Sequence, residues 1–116
     1  RAVQLLQAAQ YEDAIPQFGI VIRVLPDFAQ AYHGRGLAYY RSETPQEDLA
    51  LEDFTKAIEL KPDLARAYLS RGTLLEDQGE QEAADRDFRE ALSLYAQEGN
   101  SQGVNAAGDA LSGEGP

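Results

Sequence analysis

The chain of 116 residues contains no cysteine, methionine or tryptophan, and it has a single histidine, His33. The lack of cysteine excludes disulfides, thiolate metal sites and cysteine nucleophiles. One histidine without a nucleophile elbow or a glycine-rich phosphate loop provides no catalytic constellation. No acidic residues show the spacing of a calcium loop. We therefore expect that the protein is not an enzyme and that it binds neither a cofactor nor a metal.

Basic residues are also scarce, because ten Lys and Arg stand against twenty Asp and Glu, for a formal net charge of −10. Nucleic-acid binding requires a basic surface, so this balance argues against a nucleic-acid partner. No apolar run approaches the roughly 20 residues of a membrane helix, and no signal peptide is evident at the start. We expect a cytoplasmic protein. Since the chain begins at Arg1 without methionine, we also expect a missing upstream segment, which could carry a targeting signal.

What the chain does have is internal repetition. The stretch PDFAQAY at residues 26–32 recurs 36 residues later as PDLARAY at residues 62–68. A second set of residues recurs 34 positions later: Ala50, Phe54, Ala57, Ile58 and Leu60 return as Ala84, Phe88, Ala91, Leu92 and Leu94. Self-similarity at this period predicts a stack of repeated units rather than a single irregular core.

Helical periodicity runs through most of the chain, and no segment shows the alternation of a strand. We predict a first helix that ends near Gln10, followed by a helix over residues 11–24. Asp27 is predicted to cap a helix to about residue 41, and Thr44 to cap one to about residue 59 through a capping box. Asp63 is predicted to cap a helix to about residue 77. A turn at Gly79 precedes a helix to about residue 95, and a short terminal helix spans residues 101–112 with Asn100 or Ser101 as its cap.

The order of the repeated residues resembles the tetratricopeptide repeat (TPR), a helix-turn-helix unit of 34 residues. The matching residues are Tyr32, Gly36, Tyr39, Ala50, Phe54, Ala57 and Pro62, then Tyr68, Gly72, Leu75, Ala84, Phe88 and Ala91. The resemblance implies an all-α fold, an α-solenoid of stacked antiparallel helix pairs with a C-terminal capping helix. Residues 1–95 would hold the repeats (1–25 partial, 26–61 and 62–95), residues 96–112 the capping helix and residues 113–116 a disordered tail.

The same resemblance implies a binding function, because in TPR proteins the first helix of each unit lines a concave groove that can hold a partner. We therefore expect a protein-interaction scaffold or adaptor that binds a peptide or protein segment. Residues facing the groove should be Gln30, His33, Leu37, Tyr40, Arg41, Arg66, Leu69 and Thr73. These positions differ between the repeats while the packing positions recur, which is typical of specificity positions. The alternative is that they are unconstrained surface residues.

The distribution of charge indicates which kind of partner these groove positions favour. The inner helices carry more arginine and fewer acids than the outer helices, so an acidic partner or a C-terminal carboxylate is favoured. Arg35 and Arg71 are expected to lay their stems along the packed face and to extend the guanidinium outward. Asp53 and Asp87 are expected to lie on solvated outer faces, where their replacement would matter little.

A second functional interpretation stays open, in which the chain is a regulatory or oligomerisation domain of a longer enzyme or of a membrane-anchored assembly factor. From the repeat register we expect the first helix to start before Arg1. The seam beside Leu5, Phe18 and Val21 should then be partly open, and we expect weak self-association through this N-terminal end.

Overall fold

The computed structural model of the protein describes residues 2–113, with side chains from residue 8 onward. It contains six α-helices: α1 (Ala2–Val24), α2 (Ala29–Arg41), α3 (Glu47–Leu60), α4 (Ala65–Asp77), α5 (Gln81–Glu98) and α6 (Ser101–Ser112). Residues 2–113 include no strand, so the predicted all-α fold class is confirmed. The chain divides into two compact units, Arg1–Pro62 with α1–α3 and Asp63–Pro116 with α4–α6.

Helix α1 is continuous from Ala2 to Val24, and the predicted break between two helices near Gln10 is therefore wrong. Residues 7–12 read QAAQYE, without the glycine or proline that would stop a helix. Alanine, glutamine and glutamate are good helix formers, so the helix continues through this stretch. Pro16 lies inside α1 on its exposed side. Residues 2–24 do not form a pair of antiparallel helices, and the assignment of residues 1–25 as a partial repeat stays a prediction.

Three predicted helix caps are also wrong. Helices α2 and α4 begin after Phe28 and Leu64, one residue beyond the predicted caps Asp27 and Asp63, and neither start has a side-chain cap. The turn after each proline is instead closed by the backbone: Ala31 N–H donates to the carbonyl of Phe28 at 3.1 Å, and residue 67 donates to residue 64 in the same way at 3.0 Å.

The start of α3 shifts for a different reason. Its N-cap is Gln46, not Thr44, and no side chain caps it. The backbone N–H of Gln46 donates to the carbonyl of Tyr39 at 3.0 Å. The hydroxyl of the buried Ser42 contacts the carbonyls of Tyr39 and Thr44 at 3.2 Å and 3.1 Å. These bonds hold residues 42–46 as a loop, so the capping-box sequence is not used as a cap.

Each unit packs its helices through contacts between a glycine and an aromatic ring. In the first unit Phe54 is fully buried, and a Cβ added at Gly36 would lie 2.7 Å from its Cε1. Phe18 of α1 packs against Gly34 in the same way, at 2.5 Å from such a Cβ to Cζ. Since no side chain larger than hydrogen fits at these positions, the two helices can approach closely.

The second unit repeats this packing. Phe88 is fully buried against Gly72, where an added Cβ would lie 2.6 Å from its Cε1. Tyr95 packs against Gly103, and the surrounding core consists of Ala65, Ala91 and Ala107. The aromatic rings thus occupy the space that the small residues of the neighbouring helix leave open.

The last helix agrees with the prediction for residues 101–112. Asn100 is its N-cap, and the side-chain oxygen accepts a hydrogen bond from Gly103 N–H at 3.0 Å. Helix α5 continues three residues past the predicted end at Tyr95, to Glu98, and Gly99 ends it with φ +70°. Gly113 ends α6 with φ +72°. Of the predicted disordered tail at residues 113–116, Gly113 forms the C-cap of α6, and residues 114–116 lie outside the described residues.

Candidate interaction surface

The predicted binding residues of the first unit all lie on α2, but they differ in accessibility. His33 is only 6% exposed, and its ring centroid lies 5.7 Å from that of Phe54. It therefore belongs to the core of this unit. Gln30, Leu37 and Tyr40 are half-buried, and Arg41 is exposed.

Arg41 lies beside an aromatic residue of α1. Its Cζ is 5.9 Å from the ring centroid of Tyr11, and its NH1 is 3.5 Å from the phenol oxygen. A cation over an aromatic face is held by the ring quadrupole, with about 0.5–1 kcal/mol at exposed sites. The contact with Tyr11 thus positions the guanidinium of Arg41, which is an exposed residue.

The predicted residues of the second unit lie on α4, and the structure separates their roles. Leu69 is half-buried and packs on the core formed by Ala65, Ala91, Tyr95 and Ala107. Thr73 Oγ1 donates to the carbonyl of Leu69 at 2.9 Å, so this hydroxyl is engaged within its own helix.

Arg66 is the exposed cation among the predicted residues of α4. It lies near the phenol of Tyr95, whose pKa is raised by burial and by the negative charge of Glu98. The positive charge of Arg66 acts in the opposite direction and lowers that pKa. The residue therefore brings positive charge to a part of the second unit where α4 and α5 meet.

Two ion pairs in the structure were not predicted from the sequence. Arg35 donates from Nε to Asp53 Oδ2 at 2.8 Å and from NH2 to Oδ1 at 2.9 Å. Arg71 makes the same two bonds to Asp87, at 2.7 Å and 2.9 Å. The two aspartates are 5% and 6% exposed. The predictions of outward guanidinium groups and solvated aspartates are therefore wrong.

Aromatic rings complete each of these pairs. The Cζ of Arg35 lies 5.7 Å from the ring centroid of Tyr32 and 5.9 Å from that of Tyr39. The Cζ of Arg71 lies 5.9 Å from the ring centroid of Tyr68. The hydrogen bonds to the aspartates raise the pKa of both guanidinium groups, and partial burial opposes this rise. One sequence signal could have revealed the pairs: in both repeats an arginine follows a tyrosine by three positions, and an aspartate directly precedes the buried phenylalanine.

Three further features of the described residues bear on other kinds of site, namely a cleft, the metal-ligating side chains and the length of the apolar helices. A shallow cleft of about 540 Å³ in the first unit is lined by the Arg35–Asp53 pair and by side chains of Tyr32, Leu51, Glu52, Thr55, Lys56 and Glu59. No group of three or more metal-ligating side chains occurs in the described part of the chain. Among the described helices, none is long and apolar enough to cross a membrane.

Comparisons with known proteins agree with the helical repeats. Two family profiles, both described as tetratricopeptide repeat, match residues 1–53 and 65–98. A crystal structure of MamA is 30% identical with a TM-score of 0.70 and covers 78% of this chain. MamA of Desulfovibrio magneticus is 28% identical with the same TM-score and covers 80%. This chain spans about half of these two proteins, 52% and 51% respectively.

A third structure shows a likeness of fold alone. The type III secretion translocator chaperone SycD of Yersinia enterocolitica has a TM-score of 0.83 at 18% identity, over 97% of this chain and 77% of the chaperone. No curated protein sequence matches the chain. The resemblance to TPR proteins inferred from the repeated residues is therefore confirmed by the family profiles and by the solved structures.

Proposed function

Because the chain belongs to the tetratricopeptide repeat family, we propose that it is a protein-interaction scaffold that binds peptide or protein segments, through α2 in the first unit and through α4 in the second. One observation carries this proposal. The residues that recur between the repeats, such as Gly36 and Gly72, are used for packing. The residues that differ are at least partly accessible at seven positions on these helices: Gln30, Leu37, Tyr40, Arg41, Arg66, Leu69 and Thr73.

The proposed partner carries negative charge, either acidic side chains or a C-terminal carboxylate. Arg41 and Arg66 are exposed and point to such a group on each unit. A charge-assisted hydrogen bond is worth about 1.5–3 kcal/mol when desolvated and far less when it stays in water. Tyr40 would add a rigid apolar contact. Leu69 and Thr73 have a smaller part in this proposal, since Leu69 packs on the core and the hydroxyl of Thr73 bonds within α4. His33 has none, because it is buried.

An array of peptides with free and amidated C-termini, read by fluorescence anisotropy, tests this proposal. For the tightest ligand, the variant R41A/R66A should bind at least about tenfold more weakly, which is about 1.4 kcal/mol. The matched control is R86A/R89A, which removes two exposed cations from α5 and should bind as the wild type does. Asp53 and Asp87 are unsuitable as controls because both are paired with arginine. If R86A/R89A loses binding while R41A/R66A keeps it, the partner binds α5 and the proposal is wrong.

A role in oligomerisation is the second candidate, as a domain of a longer enzyme or membrane-anchored assembly factor. It is favoured by apolar side chains that stay exposed at the end of α1. Of the residues first expected to mediate weak self-association, Phe18 packs on Gly34 and Val21 is half-buried. The side chain of Leu5 lies outside the described residues. We propose no enzymatic activity for this chain, and the cytoplasmic location stays a prediction.

A further inference from the structure

Four large apolar side chains are exposed together where α1 ends and the chain turns toward α2. Ile20, Val24, Leu25 and Phe28 are 53%, 71%, 52% and 43% exposed. Among residues 8–113, one other large apolar residue, Leu49, has comparable exposure, at 37%. The segment Val24–Phe28 also lines a shallow pocket of about 340 Å³. We call these four residues the apolar edge. Contiguous exposed apolar surface of this kind commonly marks an interaction site.

The repeat itself shows that packing does not require two of these four positions to be apolar. The residues 36 positions after Ile20 and Leu25 are Lys56 and Lys61. The same repeat position can therefore hold a charged side chain in a folded unit. The residue equivalent to Phe28 is Leu64, which is 6% exposed, compared with 43% for Phe28. The residue equivalent to Val24 is Leu60, which is also apolar but half-buried. The apolar character of Ile20 and Leu25 and the high exposure of Val24 and Phe28 are thus not matched in the other repeat, and together they indicate a partner.

Charge indicates which partner fits. Arg23 and Asp27 are both exposed and flank Val24 and Leu25 in the sequence, so the edge is locally neutral. The chain as a whole has a formal net charge of −10, and most of its surface would repel a second copy. At a two-fold interface each patch meets itself, so Arg23 of one copy can face Asp27 of the other. We propose that the apolar edge binds the same edge of a second copy of this chain, forming a symmetric dimer.

The size of the edge sets the strength of this dimer. Stable protein interfaces bury about 800 Å² on each partner, and four side chains provide only a part of that area. The dimer is therefore weak and depends on protein concentration. Added salt screens the repulsion between two acidic chains, so moderate salt strengthens the dimer. A cationic partner would instead bind more weakly as salt increases.

This inference specifies a surface for the self-association proposed above, and it rests on that part of the proposed function. It is separate from peptide binding, because its residues lie on α1 and the following turn rather than on α2 and α4. A variant that cannot dimerise should therefore keep its affinity for a peptide ligand. Measuring dimerisation and peptide binding on the same variants distinguishes a failure of this inference from a failure of the peptide-binding proposal.

Sedimentation velocity over a range of concentrations tests the dimer. The wild type should shift from monomer to dimer as concentration rises. The variant I20K/L25K introduces the lysines that the equivalent positions already carry, so it should fold, which far-ultraviolet circular dichroism verifies. It should dimerise at least tenfold more weakly. The matched control L49K adds a lysine at the other exposed apolar position of the same unit and should dimerise as the wild type does.

Exchanging the two charges tests the two-fold geometry. R23D and D27R should each weaken the dimer, since each sets like charges against each other, and the double variant R23D/D27R should restore it. Restoration requires that the two positions face each other across two copies. A wild type that stays monomeric at every concentration, or a dimer that I20K/L25K leaves intact, overturns the proposal. A monomer whose edge binds a cationic amphipathic peptide overturns it in favour of a different partner.

Discussion

Arg71 on α4 and Asp87 on α5 form a bidentate ion pair, with Nε–Oδ2 at 2.7 Å and NH2–Oδ1 at 2.9 Å. Arg35 and Asp53 join α2 and α3 in the same way. Each pair spans the two helices whose approach is set by a glycine and a phenylalanine. Because two parallel hydrogen bonds fix both distance and orientation, the pair specifies the register of one helix against the other in addition to the apolar contact.

Removing the carboxylate of Asp87 should destabilise the protein. D87N removes the carboxylate that accepts two hydrogen bonds from Arg71, and we expect a loss of about 1.5–3 kcal/mol in the free energy of unfolding. A fully buried pair would lose more, but the side chain of Arg71 is 22% exposed. Urea denaturation measures the change. The control E90Q removes the same charge at an exposed position of α5, and equal effects of both variants would mean that the pair does not stabilise the fold.

Truncating either buried phenylalanine should lower the free energy of unfolding more than breaking an ion pair does. F54A and F88A each empty a fully buried position between two helices, so we expect losses of about 3–5 kcal/mol. The matched control is F28A, since Phe28 is 43% exposed and its loss should cost about 1 kcal/mol or less. Denaturation at low protein concentration avoids a contribution from dimers. Losses under about 1 kcal/mol at both buried sites would contradict the packing described here.

Alkaline pH should weaken the second unit through two tyrosines. Burial raises the pKa of Tyr68 and Tyr95 above the ordinary value of 10.0, and Glu90 and Glu98 respectively add to the rise. A folded-state pKa above the unfolded value gives stability that is complete below pH 10 and is lost as pH rises through the raised pKa. Urea midpoints at about pH 8 and about pH 11 should therefore differ. The variant Y68F/Y95F should lose less stability between these two pH values, and an unchanged loss would contradict this account.

The cap of α6 should contribute a measurable share of its stability. N100A removes the side-chain oxygen that accepts a hydrogen bond from Gly103 N–H, and we expect a loss of about 1 kcal/mol. N105A provides the control, because Asn105 is exposed within α6 and alanine is the better helix former there. Hydrogen exchange of the α6 amides measures the effect locally. Equal exchange rates in N100A and N105A would show that the cap contributes little.

The sequence predicted those parts of the structure that depend on residue type at repeated positions. Phe54 and Phe88 recur at one position of the repeat, and in the structure each fills the space beside a glycine of the preceding helix. Helix α6 was predictable because Asn100 is a strong cap and Val104, Ala107 and Leu111 have helical spacing. In both cases the local pattern and the tertiary contact point to the same structure.

Where the prediction failed, a tertiary contact decided the outcome. The capping box at Thr44 is a valid local signal, but the hydrogen bond from Gln46 N–H to the carbonyl of Tyr39 holds that segment as a loop. Asp53 and Asp87 look like surface residues in the sequence because carboxylates are usually solvated. Their burial depends on an arginine partner that lies 18 or 16 positions earlier in the chain. The accessibility of His33 depends on its contact with Phe54, which helical periodicity alone does not reveal.

The short turns between the helices have a kinetic consequence. Three residues separate α4 from α5, and two separate α5 from α6, so the aromatic and glycine contacts of this unit join nearby parts of the chain. Closing such small loops costs little conformational entropy, and helical proteins with mostly local contacts fold within microseconds to milliseconds. A hairpin of α4 and α5 can therefore form early and serve as the surface on which α6 docks, which leaves little time for the apolar residues of the core to be exposed to aggregation.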